Sequence, residues 1–184
     1  PGSHLILEDV GLNPTRTAFI DLLRKMGADI KVLSERTLAG ETIGDIEVLS
    51  HAEDILGTLR GGVIEGEMTA AVIDELPVLA VLGAVSEQGL TIRNAEELRV
   101  KETDRIATIA DNLTQLGVST EIFDDGLKIS GRSDFRAAEL NSFGDHRIAM
   151  AFTAAALRAE GPCSMVDAEA ASVSLPEFYS LLNS

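Results

Sequence analysis

The sequence predicts a layered α/β (α+β) domain with internal pseudo-symmetry, and three observations carry that prediction. Short β-like runs alternate with helical ones from His4 onward, with no linker or low-complexity stretch between them. Four helical stretches share one design, an apolar face followed by a glycine. Two helix–strand stretches, AFIDLLRKMGADIKVL and TIADNLTQLGVSTEIF, align on Gly27 and Gly117, so that Phe19 matches Ile109, Leu23 matches Leu113 and Met26 matches Leu116. RIAMAFTAAALRAEGPCSMV is a looser third copy. A repeated helix–strand unit points to symmetric packing around a shared core. The plainer alternative is that any amphipathic helix followed by glycine and a strand produces such an alignment.

In chain order, HLILEDV reads as a first strand. NPTRTAFIDLLRKMG reads as a helix, with Asn13 as cap, Pro14 in the first turn and Gly27 as stop; Phe19, Leu22, Leu23 and Met26 form its stripe. ADIKVL and IEVLS read as strands. DELPVLAVLGAVSEQG is apolar almost all round, which places it at the centre of the domain, with Pro77 near its start and Gly89 past its end. LTIRN is a strand. TDRIATIADNLTQLG is a helix with Ile106, Ile109, Ala110, Leu113 and Leu116 on one side. VSTEIF and LKISG are strands joined through FDDG, a hairpin turn. GDHRIAMAFTAAALRAEG is a helix ending at Gly161, CSMVDA a strand, and LPEFYSLLNS a short closing helix.

The 184 residues are 45% hydrophobic and only 4% aromatic, with no Trp, so the core must be aliphatic. A net charge of -15 argues against nucleic acid and anionic membrane surfaces as partners, but not against small anions held by a local cluster of cations. Cys163 is the one cysteine, which excludes an intrachain disulfide and fits a reducing, cytoplasmic location. No apolar run approaches the roughly 20 residues of a membrane span, and no signal-peptide pattern is seen. Residues 1–3 read as a vector-derived remnant and residues 4–184 as one domain.

The helix starts are where chemistry is expected. Arg16 opens the first helix, Asp74 and Glu75 precede the second, Lys101, Glu102 and Arg105 flank the third, and Asp145, His146 and Arg147 flank the fourth. Cations there have the wrong sign for the helix dipole. A helix N-terminus with free N–H groups and an arginine is instead a good anion site. If the helices run parallel, Arg105 and Arg147 can share one phosphate or carboxylate. Asp74, Glu102 and Asp145 are acids placed to move a proton beside such an anion. The bland reading of each stretch alone is a solvated cap with surface ion pairs, with Thr103 or Asp104 capping the third helix. Metal-ligand spacings, a Ser/His/Asp arrangement and a phosphate loop are all missing; RGGVIEGEM lacks the Lys-Ser/Thr of the last. His4 and His51 sit in no motif.

Taken together and in order, VGLNPTRTAF, IDELPVLAV, NAEELRVKETDRIA and GDHRIAMAF closely resemble the 5-enolpyruvylshikimate-3-phosphate synthase (3-phosphoshikimate 1-carboxyvinyltransferase) family, from about Leu5 to Tyr179. The related UDP-N-acetylglucosamine enolpyruvyl transferases share the fold but lack KETDR. The resemblance implies a two-domain enzyme, each domain built of three βαβαββ-like units around buried parallel helices, with this chain equivalent to the C-terminal domain. It implies transfer of the enolpyruvyl group of phosphoenolpyruvate to the 5-hydroxyl of shikimate 3-phosphate, on the pathway to aromatic amino acids, with no organic cofactor; the missing ligand spacings predict no metal. It implies that Asp74 accepts the hydroxyl proton, that Lys101 lies near shikimate 3-phosphate, that Glu102 protonates the methylene of phosphoenolpyruvate, and that Arg105 and Arg147 clamp phosphoenolpyruvate. Asp145 and His146 are neighbours of that set. Two departures stand out. Val173 occupies the place of a lysine that family members often carry, and the N-terminal domain with its substrate contacts is missing. The chain alone is therefore expected to be inactive or nearly so. The alternatives are a non-catalytic anion-binding or assembly module, or another member of the fold such as an RNA 3'-phosphate cyclase, which the acidic charge disfavours.

Overall fold

The computed structural model describes residues 2–50 and 59–182; His51 lies outside them. Strand β1 (His4–Gly11) leads into helix α1 (Ala18–Met26), followed by β2 (Asp29–Leu38) and β3 (Glu41–Leu49). These strands form an antiparallel sheet in the order β1-β3-β2. Leu38 pairs with Glu41, so Ala39 and Gly40, both at positive φ, form a two-residue hairpin turn. The sequence reading missed this hairpin because Ala-Gly lacks the usual Asn or Asp.

Strand β4 (Gly62–Ile64) and two helices, α2 (Glu67–Ala71) and α3 (Leu76–Val85), come next. Strand β5 (Leu90–Ile92) and a 3-10 turn over Glu96–Val100 precede α4 (Arg105–Gln115), which is followed by β6 (Thr120–Phe123) and β7 (Gly126–Ile129). The second sheet has the order β4-β5-β7-β6, parallel between its first two strands and antiparallel beyond. The last part contains β8 (Glu139–Asn141), α5 (His146–Ala156), β9 (Ser164–Val166), a 3-10 turn over Ala168–Val173 and α6 (Phe178–Leu181); β8 and β9 pair in parallel. Strands β4 and β8 and helix α2 escaped the sequence reading, since three to five residues are too few for a period to show.

The core is aliphatic, as expected. Leu76, Leu79, Leu98, Ile106, Ile109, Leu113 and Ile148 are sealed from solvent, and Phe135 and Phe152 are the fully buried rings. Helix α3 lies at its centre against α4 and α5, and eight of its ten residues are buried. The repeat is real at its helix ends. Gly27 and Gly117 both take the left-handed conformation, at φ 105° and 93°. The next residue then bonds back across the last turn in both copies: Ala28 N donates to Leu23 O and Val118 N to Leu113 O, each at 2.9 Å. The third copy departs from this pattern. Helix α5 stops at Ala156 rather than at Gly161, because Leu157 to Ala159 tighten into short turns and Glu160 N is drawn to Phe135 O at 2.7 Å. Helix α1 also differs from expectation. Asn13 does not cap it; its Oδ1 accepts from Thr15 N and Oγ1, closing a local turn, and the helix starts only at Ala18.

Gly89 fixes the crossing of three segments. It lies at φ 75°, and a Cβ there would sit 2.2 Å from Ile129 O and 2.8 Å from Gly131 N. Gly89→Ala would combine left-handed strain with a backbone clash. It is expected to lower the free energy of unfolding by about 3 kcal/mol, read as a lower urea midpoint at unchanged slope; an unchanged midpoint would refute this.

The FDDG hairpin turn braces the segment that leads into KETDR. Asp125 accepts from Asn94 N at 2.9 Å and from Arg93 Nε, while Arg93 also lies over the Phe123 ring. The hydrogen bond from Asn94, and then that from Arg93, hold the Asp125 carboxyl below its ordinary range. A folded-state value that is lowered gives stability at pH above the ordinary aspartate range and loses it as pH falls through the folded value. Asp125→Asn should therefore flatten the acid limb of the stability profile without changing its shape near neutrality; an unaltered acid limb in urea titrations would refute this.

Candidate active site

The starts of α3, α4 and α5 meet at one end of the core, so the three buried helices run side by side with their N-termini together. The meeting point is a chain of ion pairs. Arg105, the first residue of α4, is only 1% exposed. Its Nε donates to Asp145 Oδ2 at 2.7 Å, and its Nη2 donates to Asp145 Oδ1 at 3.3 Å and to Glu102 Oε2 at 2.6 Å. Its Nη1 lies 3.9 Å from Asp74 Oδ1. Arg147, in the first turn of α5, donates from Nη1 to Asp74 O at 2.9 Å, and its Nη2 is 3.0 Å from Asp74 Oδ2. Asp74, in the turn before α3, thus lies between two guanidiniums contributed by two other helices.

Asp145 has the most tightly constrained position. It is fully buried. While both its oxygens hold Arg105, Oδ1 also accepts from Arg147 N at 2.8 Å and Ile148 N at 3.4 Å, capping α5. Asp104 caps α4 in the same way, accepting from Ala107 N. Three of the N–H groups expected to be free for an anion at these two starts, those of Ala107, Arg147 and Ile148, are therefore already taken by aspartates.

The structure brings together Asp74, Glu102, Arg105, Asp145 and Arg147. Lys101 is near in sequence but pairs with Glu97, Nζ to Oε1 at 2.5 Å. His146 is half-buried and takes no part in the ion-pair chain described here. Arg99, within RVKETDR, braces the site. It donates to Asp104 Oδ2 and to the carbonyls of Phe123 and Asp124, tying the α4 cap to the FDDG hairpin. Val173 ends the 3-10 turn after β9 and is 76% exposed. Two members of the cluster, Arg16 and Glu75, stood among the charged helix starts of the sequence but were given no role there. Arg16 Nη2 donates to Glu75 Oε1 at 3.1 Å, and its Nη1 lies 3.8 Å from Asp74 Oδ2. The signal for Arg16 was its position as a cation at a helix start; it precedes α1 by two residues, whereas Arg105 and Arg147 lie in the first turns of α4 and α5.

Between α3 and α5, a cavity of about 300 Å³ opens beside Asp74, Glu75 and Arg147, with Val78, Met150 and Phe178 among its walls. One guanidinium and two carboxylates stand at one end of it and an apolar wall beyond. No group of His, Cys, Asp and Glu that could hold a metal occurs among the described residues, and no described helix is long and apolar enough to cross a membrane.

A sequence model of the family described as EPSP synthase (3-phosphoshikimate 1-carboxyvinyltransferase) matches residues 1–182, and so includes the three residues expected to be a remnant. A 3-phosphoshikimate 1-carboxyvinyltransferase of Solibacter usitatus (strain Ellin6076) is 60% identical over 98% of this chain and 41% of its own length. One from Koribacter versatilis (strain Ellin345) is 46% identical over all of this chain and 42% of its own. The solved EPSP synthase of Acinetobacter baumannii superposes with a TM-score of 0.89 at 38% identity, over 99% of this chain and 41% of that one. The enolpyruvyl transferase NikO of Streptomyces tendae shares the fold, with a TM-score of 0.75 at 20% identity, over 97% of this chain and 37% of that one. The chain thus spans about two fifths of the length of these relatives.

Proposed function

Because this chain belongs to the EPSP synthase (3-phosphoshikimate 1-carboxyvinyltransferase) family, we propose that it carries half of the active site of such an enzyme, in the cytoplasm. The proposed reaction joins phosphoenolpyruvate to the 5-hydroxyl of shikimate 3-phosphate and releases phosphate. The observation that carries this reading is one buried guanidinium, Arg105, reaching two carboxylates of different exposure, Glu102 at 2.6 Å and Asp74 at 3.9 Å.

The chemistry needs such a pair. As the hydroxyl oxygen bonds to C2 of phosphoenolpyruvate, its proton must leave and C3 must gain one. Expulsion of phosphate then takes a proton back from C3. Two carboxyl groups in different surroundings can divide that work. In this reading Asp74 takes the hydroxyl proton and Glu102 serves C3. Arg147 and Arg105 offset the charge of phosphoenolpyruvate, and Lys101 turns from Glu97 to shikimate 3-phosphate. Asp145 holds both arginines in place. The acids of the chain occupy the arginines, so an anionic substrate must displace them. The chain alone should bind phosphoenolpyruvate or the inhibitor glyphosate weakly, since half of the clamp is elsewhere.

The test is reconstitution. The chain is mixed with the segment preceding the equivalent region of the Solibacter usitatus relative, and phosphate release from the two substrates is followed. Activity is expected only in the mixture. Full turnover by the chain alone would overturn the half-site reading, and association without turnover would favour an assembly module.

A further inference from the structure

We infer that Arg16 is a third anion-binding cation of this site, acting with Arg147 on the same phosphoryl or carboxylate group. This rests on the reading of the site as an anion-binding half-site.

The three guanidiniums around Asp74 are not equally available. Arg105 is 1% exposed and committed to Asp145 and Glu102. Arg147 uses both terminal nitrogens on Asp74 and its side chain is 28% exposed. The Arg16 side chain is 60% exposed and, among the described residues, makes one hydrogen bond, Nη2 to Glu75 Oε1, plus the longer approach of Nη1 to Asp74 Oδ2 at 3.8 Å. A guanidinium offers five N–H donors in a planar fork that matches a phosphoryl or carboxylate edge. Most of the Arg16 fork is therefore uncommitted, at the one carboxylate that Arg147 also touches.

The backbone of Arg16 is held in place. Asn13 Oδ1 accepts from Thr15 N and Oγ1, and Asn13 O accepts from Arg16 N at 2.8 Å. This turn projects the side chain across 59 residues of sequence to the start of α3. As an exposed ion pair, that reach contributes little to folding. As a ligand contact it places a second fork opposite Arg147, with Asp74 Oδ2 now lying between the two, 3.8 Å from one and 3.0 Å from the other. An anion entering there exchanges with Asp74 and leaves that carboxylate to face the hydroxyl substrate. It also gives the site a cation that Val173 does not offer.

The test is titration of the chain with phosphoenolpyruvate at low salt, followed by amide chemical shifts. Arg16→Gln should weaken binding about tenfold, the value of one charge-assisted contact, with an unchanged thermal midpoint. Arg16→Lys should recover only part, since charge returns but the fork does not. Lys25→Gln, an equal charge change at an exposed position of α1, should leave affinity within about twofold. If Arg147→Gln weakens binding and Arg16→Gln does not, Arg16 is a surface ion pair only and the proposal is overturned while the site reading stands. If neither variant matters, or if phosphoenolpyruvate shifts no amide at the three helix starts, the site reading falls and the proposal with it.

Discussion

Asp145→Ala is expected to cost about 4 kcal/mol of unfolding free energy. Removing one partner of a buried ion pair costs about 3–5 kcal/mol because the other charge is left behind, and loss of a helix cap adds about 1 kcal/mol. Here the stranded charge is Arg105, 1% exposed, and the lost cap is that of α5. Glu102 reaches Arg105 from the half-exposed side and offsets part of the loss. Asp145→Asn keeps the cap and removes the charge, so it should cost distinctly less. Arg105→Met combined with Asp145→Ala should recover most of the stability, because an apolar chain fills the space without a stranded ion. Urea denaturation of the four chains separates the terms. An Asp145→Ala midpoint equal to that of the parent would mean that Glu102 alone holds the guanidinium.

Asp74→Asn, in the reconstituted enzyme, should lower turnover by about 10³-fold, within the range for loss of a positioned acid or base. The substitution keeps the shape and the contact to Arg147 but cannot take a proton. KM for shikimate 3-phosphate should change far less than kcat, because the loss falls on the transition state. Asp74 is 28% exposed and its carbonyl, not its carboxylate, holds Arg147 Nη1, so the fold should be kept. Steady-state kinetics with a thermal melt decide the matter, and turnover within tenfold of the parent would remove Asp74 from the proposed chemistry.

The parts of the fold that were legible in the sequence are those governed by local rules. The stripe of α4, the all-apolar character of α3 and the two glycine stops depend on side-chain period and on the φ that glycine allows, and each is present. The three-residue strands β4, β5, β8 and β9 are set by their neighbours in a sheet; of these, β5 and β9 were anticipated, through LTIRN and CSMVDA, and β4 and β8 were not. The site was legible as a set of charged helix starts, but its wiring was not. Asp104 was legible as one of two candidate caps of α4, but nothing local says that Arg105 is sealed in the core while Arg16 and Arg147 keep contact with water, or that Asp145 both caps α5 and holds Arg105. Those facts depend on which helix start faces which, a property of packing alone. The family resemblance supplied roles for Asp74, Glu102 and the two arginines. It supplied no role for Arg16, whose charge at a helix start was visible in the sequence but whose reach to Glu75 and Asp74 was not.

One pairing has a mechanical consequence. The Asn112 side chain, two turns along α4, donates to Asn141 O and accepts from Asn141 N, both at 2.9 Å, as a neighbouring strand would. Arg105, at the start of the same helix, grips Asp145. The segment from residue 141 to 145 is thus bolted to α4 at two points about 10 Å apart along its axis. A strut fixed at both ends cannot hinge. Arg105 and Arg147 then travel as one rigid piece, and the segment between them and Asn141 cannot by itself fold over the site.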